Sequence, residues 1–366
     1  MAKPVGARCN LSCKYCYYTD RGSKEVMSKE MLEDFTRQYI DAQTTPDVLF
    51  TWHGGEPLLR GIDFYRHAID LQCKYAQGHH IDNCIQTNGT LLNDEWCEFL
   101  HDNNFLVGIS IDGPQPLHDA YRRGQRSGSS WHDVMRGIEL LKRHGVEWNA
   151  MATVNAVNVG HPVAFFRFFR QIGCEFLQFT PVVESDKPDC SITPDQWGRF
   201  LCSIYDEWVR QDVGQLFVQL FDAILANWCG EPPGICSMSP TCGQAAVIEA
   251  DGTVYCCDHF VRPTYRLGNI RQQSLTALLY SERQQQFGLA KHTALPRQCC
   301  ECRWLFACHG ECPKNRLSVD RYGESGLNYL CTGYRQFFRH VAADMDFMKA
   351  ELDAGRAPAN IIKMKS

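Results

Sequence analysis

Three cysteines, Cys9, Cys13 and Cys16, stand at C-x3-C-x2-C spacing near the start of the chain. One short loop with this spacing wraps a single metal centre. A structural zinc site takes four protein ligands, and iron–sulfur cubanes usually take four cysteines. Here the next cysteine is Cys73. Three ligands and an open coordination position suit a reactive metal, because the open position receives a substrate or cosubstrate. A zinc knuckle completed by a distant Cys or His is the structural alternative on spacing alone.

The chain has 366 residues, 44% hydrophobic and 22% charged, enough for a substantial core in two or three domains. A formal charge of -5 gives no basic footprint, which argues against nucleic acid as the main partner. No apolar run reaches membrane-spanning length. Met1-Ala2-Lys3-Pro4 leads almost directly into the cysteines, leaving no room for a signal peptide, so the expected location is cytoplasmic. In a reducing compartment the 20 cysteines point to metal rather than disulfides, and eleven of them follow residue 228.

The first two-thirds alternates strands and helices. Apolar, β-rich runs at Val48–Trp52, Ile81–Gln86, Phe105–Ile111, Glu147–Val154 and Glu175–Val183 alternate with amphipathic stretches at Ser28–Asp41, Asp63–Tyr75, Asn93–His101, Trp131–His144 and His161–Ile172. Ser28 caps a helix start, and Gly145 stops a helix after Arg143-His144. Repeated βα units predict a parallel sheet, either closed as a full or partial barrel or open and doubly wound. Polar groups collect at the strand ends: His53-Gly54-Gly55-Glu56-Pro57, Gln86-Thr87-Asn88-Gly89-Thr90 and Ser110-Ile111-Asp112-Gly113-Pro114. Alternation predicts that Ser110 and Asp112 present hydroxyl and carboxylate on one face. Ser185–Thr193 reads as a loop before helix Pro194–Arg210, and Phe217–Trp228 fits either strand or helix. Gly230-Glu231-Pro232-Pro233-Gly234 breaks the pattern and marks a boundary.

Beyond it lie Cys236, Cys242, Cys256, Cys257, Cys299, Cys300, Cys302, Cys308, Cys312 and Cys331, with a hairpin turn at Asp251-Gly252. Eight of these thiols fill two four-ligand sites; two zinc sites are the structural alternative. Cys73, Cys84, Cys97, Cys174, Cys190, Cys202 and Cys229 are expected to be small buried apolar residues.

With Tyr15 before its third cysteine, C-x3-C-x-aromatic-C resembles the signature of radical S-adenosylmethionine (SAM) enzymes. The C-terminal cysteine block resembles the SPASM domain. Together with Gly-Gly-Glu-Pro and the Gln86–Thr90 and Ser110–Pro114 stretches, the chain resembles an anaerobic sulfatase-maturating enzyme from Lys3 to about Tyr334. The resemblance implies an α/β fold: a partial (β/α)6 barrel over 1–229, a SPASM domain with a small β-hairpin and helices over 230–335, and a helical tail over 336–366. It implies three [4Fe–4S] clusters. One is held by Cys9, Cys13 and Cys16 and binds SAM. The second is held by Cys236, Cys242, Cys257 and Cys312, and the third by Cys299, Cys302, Cys308 and Cys331. Cys256 and Cys300 are neighbours that would substitute after a one-residue swap. SAM contacts fall on Tyr15, Gly55, Ser110, Arg122 and Val183, with Arg123 and Arg126 near enough to compete with Arg122. Val183 acts only through backbone or packing.

The implied reaction oxidises a Cys or Ser of an unfolded sulfatase segment to Cα-formylglycine, with a 5′-deoxyadenosyl radical abstracting hydrogen from Cβ. Asp258 is the implied base, and His259 its local competitor. A carboxylate beside an anionic cluster is expected to have a raised pKa. Gln86 is the first candidate for substrate contact, and flavodoxin or ferredoxin the expected electron donor. Two alternatives remain: a SPASM enzyme that crosslinks a ribosomal peptide, and a non-catalytic iron–sulfur carrier. The first often has an extra N-terminal recognition domain, for which a start at Met1 leaves no space; the second leaves Gly55, Ser110 and Arg122 unexplained.

Overall fold

The structure is a computed structural model and describes residues 1–19, 22–124 and 128–365. Six strands form one sheet in chain order: Asp47–Trp52, His80–Thr87, Phe105–Ser110, Trp148–Val154, Phe176–Pro181 and Phe217–Val218. Its pairings are parallel, so each connection must cross over. The crossovers carry helices, including Ile62–Tyr75, Asp94–Asp102, Trp131–Arg143, Pro162–Gln171 and Pro194–Gln211. This is the α/β architecture expected from the alternating pattern. Ser28 caps helix Lys29–Asp41 through its side chain, as predicted. The ambiguous Phe217–Trp228 run is a two-residue strand followed by helix Gln219–Cys229, which Gly230 ends in a left-handed conformation.

The chain divides into two compact units: residues 1–110, 122–148 and 244–287, and residues 111–121, 149–243 and 288–366. In the first, strand alternation sends Val48, Phe50 and Trp52 into the core. Trp52 packs edge-on against Tyr65 at 5.6 Å, and its indole N–H donates to Asn83 at 2.8 Å, which satisfies that donor. On the other strand face, Thr51, Cys84, Gln86 and Ser110 stay half-buried. Cys84 lies 3.3 Å from Thr51, and Gln86 donates to Ser110 at 3.0 Å. The predicted hairpin forms from Val247–Ile248 and Thr253–Tyr255, with Gly252 at φ +84° and Arg266–Asn269 as a third antiparallel strand. Ala2 bridges both Trp52 and Ile248. Its N–H donates to Thr51 O at 2.8 Å, and the Lys3 N–H donates to Ile248 O at 3.0 Å. The first residues are thus a splice between the hairpin and the first strand.

In the second unit, helix Pro194–Gln211 packs on the long helix Cys331–Asp353. Glycines make the crossing close. A Cβ on Gly333 would lie 2.2 Å from the Pro194 carbonyl oxygen, and one on Gly198 would lie 2.5 Å from Gln336 Oε1. The long helix begins at Cys331, inside the cysteine block, so this crossing fixes where that thiol sits.

Two expectations need correction. Asp112 does not present its carboxylate beside the Ser110 hydroxyl: the strand ends at Ser110, and Asp112 is fully buried and accepts from Thr153 N–H at 2.9 Å. Cys73 is exposed on the outer side of its helix rather than buried, and Cys84, Cys202 and Cys229 are only partly covered. Gly333→Ala should therefore shift the start of the long helix. We expect it to lower stability by about 1–3 kcal/mol and to reduce iron content, measured by urea unfolding and iron assay of the reconstituted protein.

Candidate functional site

The Cys9–Cys16 loop is held by backbone contacts within the first unit. Ser12 N–H donates to Arg123 O at 2.8 Å, Leu11 bridges Gly124, and Cys16 N–H donates to Cys13 O at 3.1 Å. The loop after strand His80–Thr87 supplies the rest. Asn88 donates to Asn10 at 2.9 Å and approaches Cys9 Sγ at 3.9 Å, while Asn10 donates to Thr90 at 2.8 Å. Burial pushes the Cys9 thiol up to about 11, so metal binding there releases a proton.

Gly55 lies against this loop. A Cβ there would stand 2.0 Å from Arg8 O, directly before Cys9, so no other residue fits without moving the loop. Its N–H donates to Gly6 O at 2.8 Å. Glu56, which sequence reasoning passed over as part of a turn, is fully buried. It accepts from Leu58 N–H at 3.0 Å, the Thr87 hydroxyl at 2.7 Å and Asn88 N–H at 2.8 Å. It thereby ties the two strand-end loops together. Burial raises its pKa to about 7, although all three hydrogen bonds oppose the rise.

Arg122 is largely buried, with its guanidinium carbon 5.5 Å from the centre of the Tyr15 ring. The Arg123 side chain is exposed, and that residue contributes its carbonyl to the cysteine loop. Arg126 lies outside the described residues. Gln86 and Ser110 are hydrogen-bonded neighbours in the same unit. Val183 is a buried residue of the second unit, so its side chain has only packing to offer.

Asp258 follows Cys257 in a short turn and forms an ion pair with the fully buried Lys3. The Tyr17 hydroxyl donates to the same carboxylate. Lys3 also lies 3.9 Å from Glu249 and 3.3 Å from the centre of the Tyr18 ring, whose hydroxyl donates to Glu249 at 2.6 Å. Burial alone would raise the pKa of Asp258, but Lys3, with His53 and His259, holds it well below the usual carboxylate range. His53 is itself pushed toward the neutral form by burial, which leaves Lys3 as the dominant cation. The sequence reading counted the cluster's anionic charge and not a lysine 255 positions away, which pulls the other way. The His259 ring packs on Tyr17 at 5.2 Å. Lys3, Tyr17 and Glu249 are the site residues sequence reasoning missed, and no local motif marks them.

In the second unit, Cys299, Cys302, Cys308 and Cys331 are among the residues lining one cavity of about 410 Å³, and four thiols are the donor set a cubane takes. Cys299 lines it and the exposed Cys300 does not. Burial pushes Cys299 up to about 11 and raises Cys308 and Cys331 as well. Cys236, Cys242 and Cys312 also belong to this unit, whereas Cys257 belongs to the first. Beside it, Cys256 is buried, its N–H donating to Tyr265 O at 3.0 Å and its carbonyl accepting from Gln284 at 3.2 Å.

Two stability predictions follow from the buried charges. Lys3→Met leaves Asp258 and Glu249 without their cation and should cost roughly 3–5 kcal/mol in urea unfolding at neutral pH. That contribution is present above the ordinary Asp pKa of 3.8, so the difference from the parent should shrink on acidification. Glu56 has the opposite sign. Between pH 4.5 and about 7 the native chain keeps a proton that the unfolded chain releases, so stability falls as pH rises. The fall from this group is about 3 kcal/mol. Glu56→Gln should flatten that slope while lowering overall stability, because Asn88 N–H loses its acceptor; an unchanged slope would place the titration elsewhere.

The Radical SAM superfamily matches residues 4–169, and the SPASM family, an iron–sulfur cluster-binding domain, matches residues 236–303. The chain is 56% identical to a serine-type anaerobic sulfatase-maturating enzyme of Bacteroides thetaiotaomicron, covering 99% of this chain and 94% of the relative. It is 31% identical to a cysteine-type enzyme of Clostridium perfringens, covering 93% and 95%. Among solved structures, anSMEcpe with bound AdoMet and Kp18Cys peptide superposes with a TM-score of 0.89 at 30% identity, over 96% of this chain and 98% of that one. With its three-cysteine loop, its parallel sheet and four cysteines lining one cavity, the chain belongs to the anaerobic sulfatase-maturating enzymes of the radical SAM superfamily.

Proposed function

We propose that this chain oxidises a serine in a sulfatase polypeptide to Cα-formylglycine. The observation that carries the reading is its 56% identity, over 99% of its length, to a serine-type enzyme, against 31% to a cysteine-type one. When bound, the three [4Fe–4S] clusters and SAM supply the one-electron chemistry: a carbon-centred radical that takes a hydrogen atom from the serine Cβ, and an acceptor for the remaining electron. Conversion of CH2OH to CHO removes one hydrogen atom, one proton and one electron, so the protein must supply a base.

Asp258 is that base in this reading. Lys3 keeps it ionised at neutral pH, and the Tyr17 hydroxyl holds it in place. Cys9, Cys13 and Cys16 hold the cluster that binds SAM. Tyr15 flanks the adenine, a Gly55 backbone carbonyl receives the amino group, Ser110 and Arg122 take ribose and carboxylate, and Val183 packs nearby. Gln86, fixed by its bond to Ser110, meets the substrate peptide. Cys236, Cys242, Cys257 and Cys312 form the first auxiliary ligand set, and Cys299, Cys302, Cys308 and Cys331 the second. The barrel spans 1–229, the SPASM domain 230–335 and the tail 336–366. Among the described residues no helix is long and apolar enough to cross a membrane. An unfolded sulfatase segment in the cytoplasm is the partner, with a flavodoxin or ferredoxin as electron donor.

The test is mass spectrometry of Ser-x-Ala-x-Arg and Cys-x-Ala-x-Arg peptides after anaerobic incubation with SAM and a reductant. A loss of about 2 Da from the Ser peptide, trapped by an aldehyde reagent and faster than the loss of about 18 Da from the Cys peptide, is expected. A two-hydrogen loss that no aldehyde reagent traps would move the reading to a peptide crosslinker. Cys13→Ala should abolish SAM cleavage. Asp258→Asn should lower formylglycine formation by about 10²–10⁴-fold while SAM cleavage continues.

A further inference from the structure

The segment from Cys308 to Cys312 joins the two auxiliary ligand sets, the first of these cysteines lining the 410 Å³ cavity and the second belonging to the other set. Its three intervening residues, His309, Gly310 and Glu311, all have left-handed backbone, with φ of 46°, 71° and 52°. Two of them are not glycine, so the turn is strained and needs an external clamp. Arg316 is that clamp. Its guanidinium donates to Gly310 O at 3.1 Å, His309 O at 3.2 Å and Glu311 O at 3.5 Å. A Cβ on Gly310 would come within 2.6 Å of Arg316 Nη2, so the glycine makes room for the guanidinium. A second cation, Lys291, is fully buried on helix Glu282–Thr293 and donates to Cys236 O at 2.5 Å and Ser237 O at 2.8 Å.

We propose that Arg316 is a positioning residue shared by both auxiliary cluster sites, and that Lys291 serves the first site alone, the two cations raising the reduction potentials of the clusters they face. The proposal rests on the ligand sets given above. Carbonyl oxygens and one buried carboxylate, Glu311, are thin compensation for the fully buried Lys291 and the half-buried Arg316. Glu311 is itself engaged by Asn315 at 3.1 Å and by Asn328. Anionic clusters supply the missing negative charge. The thiols that bear electrostatically on Lys291 are Cys242, Cys312 and Cys236, all of the first set. Those that bear on Arg316 are Cys299 and Cys308 of the second set and Cys242 of the first. A cluster is more negative when reduced, so a nearby fixed cation favours the reduced form and raises the potential.

The experiment uses the full chain carrying Cys9→Ala, Cys13→Ala and Cys16→Ala, which leaves about eight irons in two auxiliary clusters. Their midpoints are read by redox titration monitored by electron paramagnetic resonance. Arg316→Gln keeps a donor for the turn but removes the charge. We expect it to retain iron and to lower both midpoints, while Arg316→Lys leaves both near the parent values. Lys291→Gln should lower one midpoint only. Arg316→Gln that holds its iron and moves one midpoint or none overturns the shared role. If that variant loses iron, Lys291→Gln decides: both midpoints moving, or neither, overturns the proposal. Cys242→Ser and Cys308→Ser in the same background should each disturb a different cluster. If both disturb the same one, the ligand sets fail and the bridge fails with them. If they separate and Arg316→Gln leaves the midpoints unmoved, the ligand sets stand and the bridge alone falls.

Discussion

One buried ammonium group organises the first unit. Lys3, fully buried, sits between Asp258 and Glu249 with the Tyr18 ring against it. Burying three charges is costly, and the arrangement holds only if geometry is imposed from outside. That geometry comes from backbone: Ala2 lies between the first barrel strand and the hairpin, and Lys3 N–H donates to Ile248 O at 3.0 Å. The splice that aims Lys3 at Asp258 leads directly into Cys9. The position of Asp258 and the position of the Cys9–Cys16 loop are therefore set by the same few residues, so neither can drift without the other.

Close backbone approach recurs wherever a thiol has to be placed. Gly55 meets the carbonyl before Cys9, and Gly333 meets Pro194 two residues after Cys331. Both approaches are too tight for a Cβ, and each fixes a cysteine through main chain rather than through a side-chain rotamer. Hydrogen bonds then finish the placement. Glu56 draws the Gly54–Gly55 turn toward Thr87 and Asn88, and Asn88 in turn reaches Asn10 and Cys9. This network explains why polar residues gather at those strand ends even where they touch no cofactor.

The periodic part of the fold was legible because burial repeats at short range. Strands expected at Val48–Trp52 and Ile81–Gln86 appear as Asp47–Trp52 and His80–Thr87, and the cap at Ser28 and the turn at Asp251-Gly252 are where local chemistry puts them. What stayed hidden depends on residues far apart in sequence. Lys3 pairs with Asp258, and Glu56 accepts from Asn88, across separations no motif encodes. For Asp258 the neighbouring cysteine was visible in the sequence and the compensating cation was not. Asp112 shows a limit of another kind, since alternation predicts its face only while the strand continues, and this strand stops at Ser110.

The thiols carry the same electrostatic logic in reverse. Cys9 and Cys299 are both pushed up to about 11, so without metal they hold their protons at neutral pH. Neutral thiols do not repel, which lets Cys299, Cys302, Cys308 and Cys331 line one cavity before anything fills it. Iron must displace those protons, so cluster loading is coupled to their release and weakens as pH falls. Asp258 is held in the opposite state, ionised through most of that range by Lys3. Burial alone cannot hold thiols neutral and a carboxylate ionised, because it raises both kinds of acid. Lys3 separates them: it lowers Asp258 while burial keeps Cys9 and Cys299 neutral.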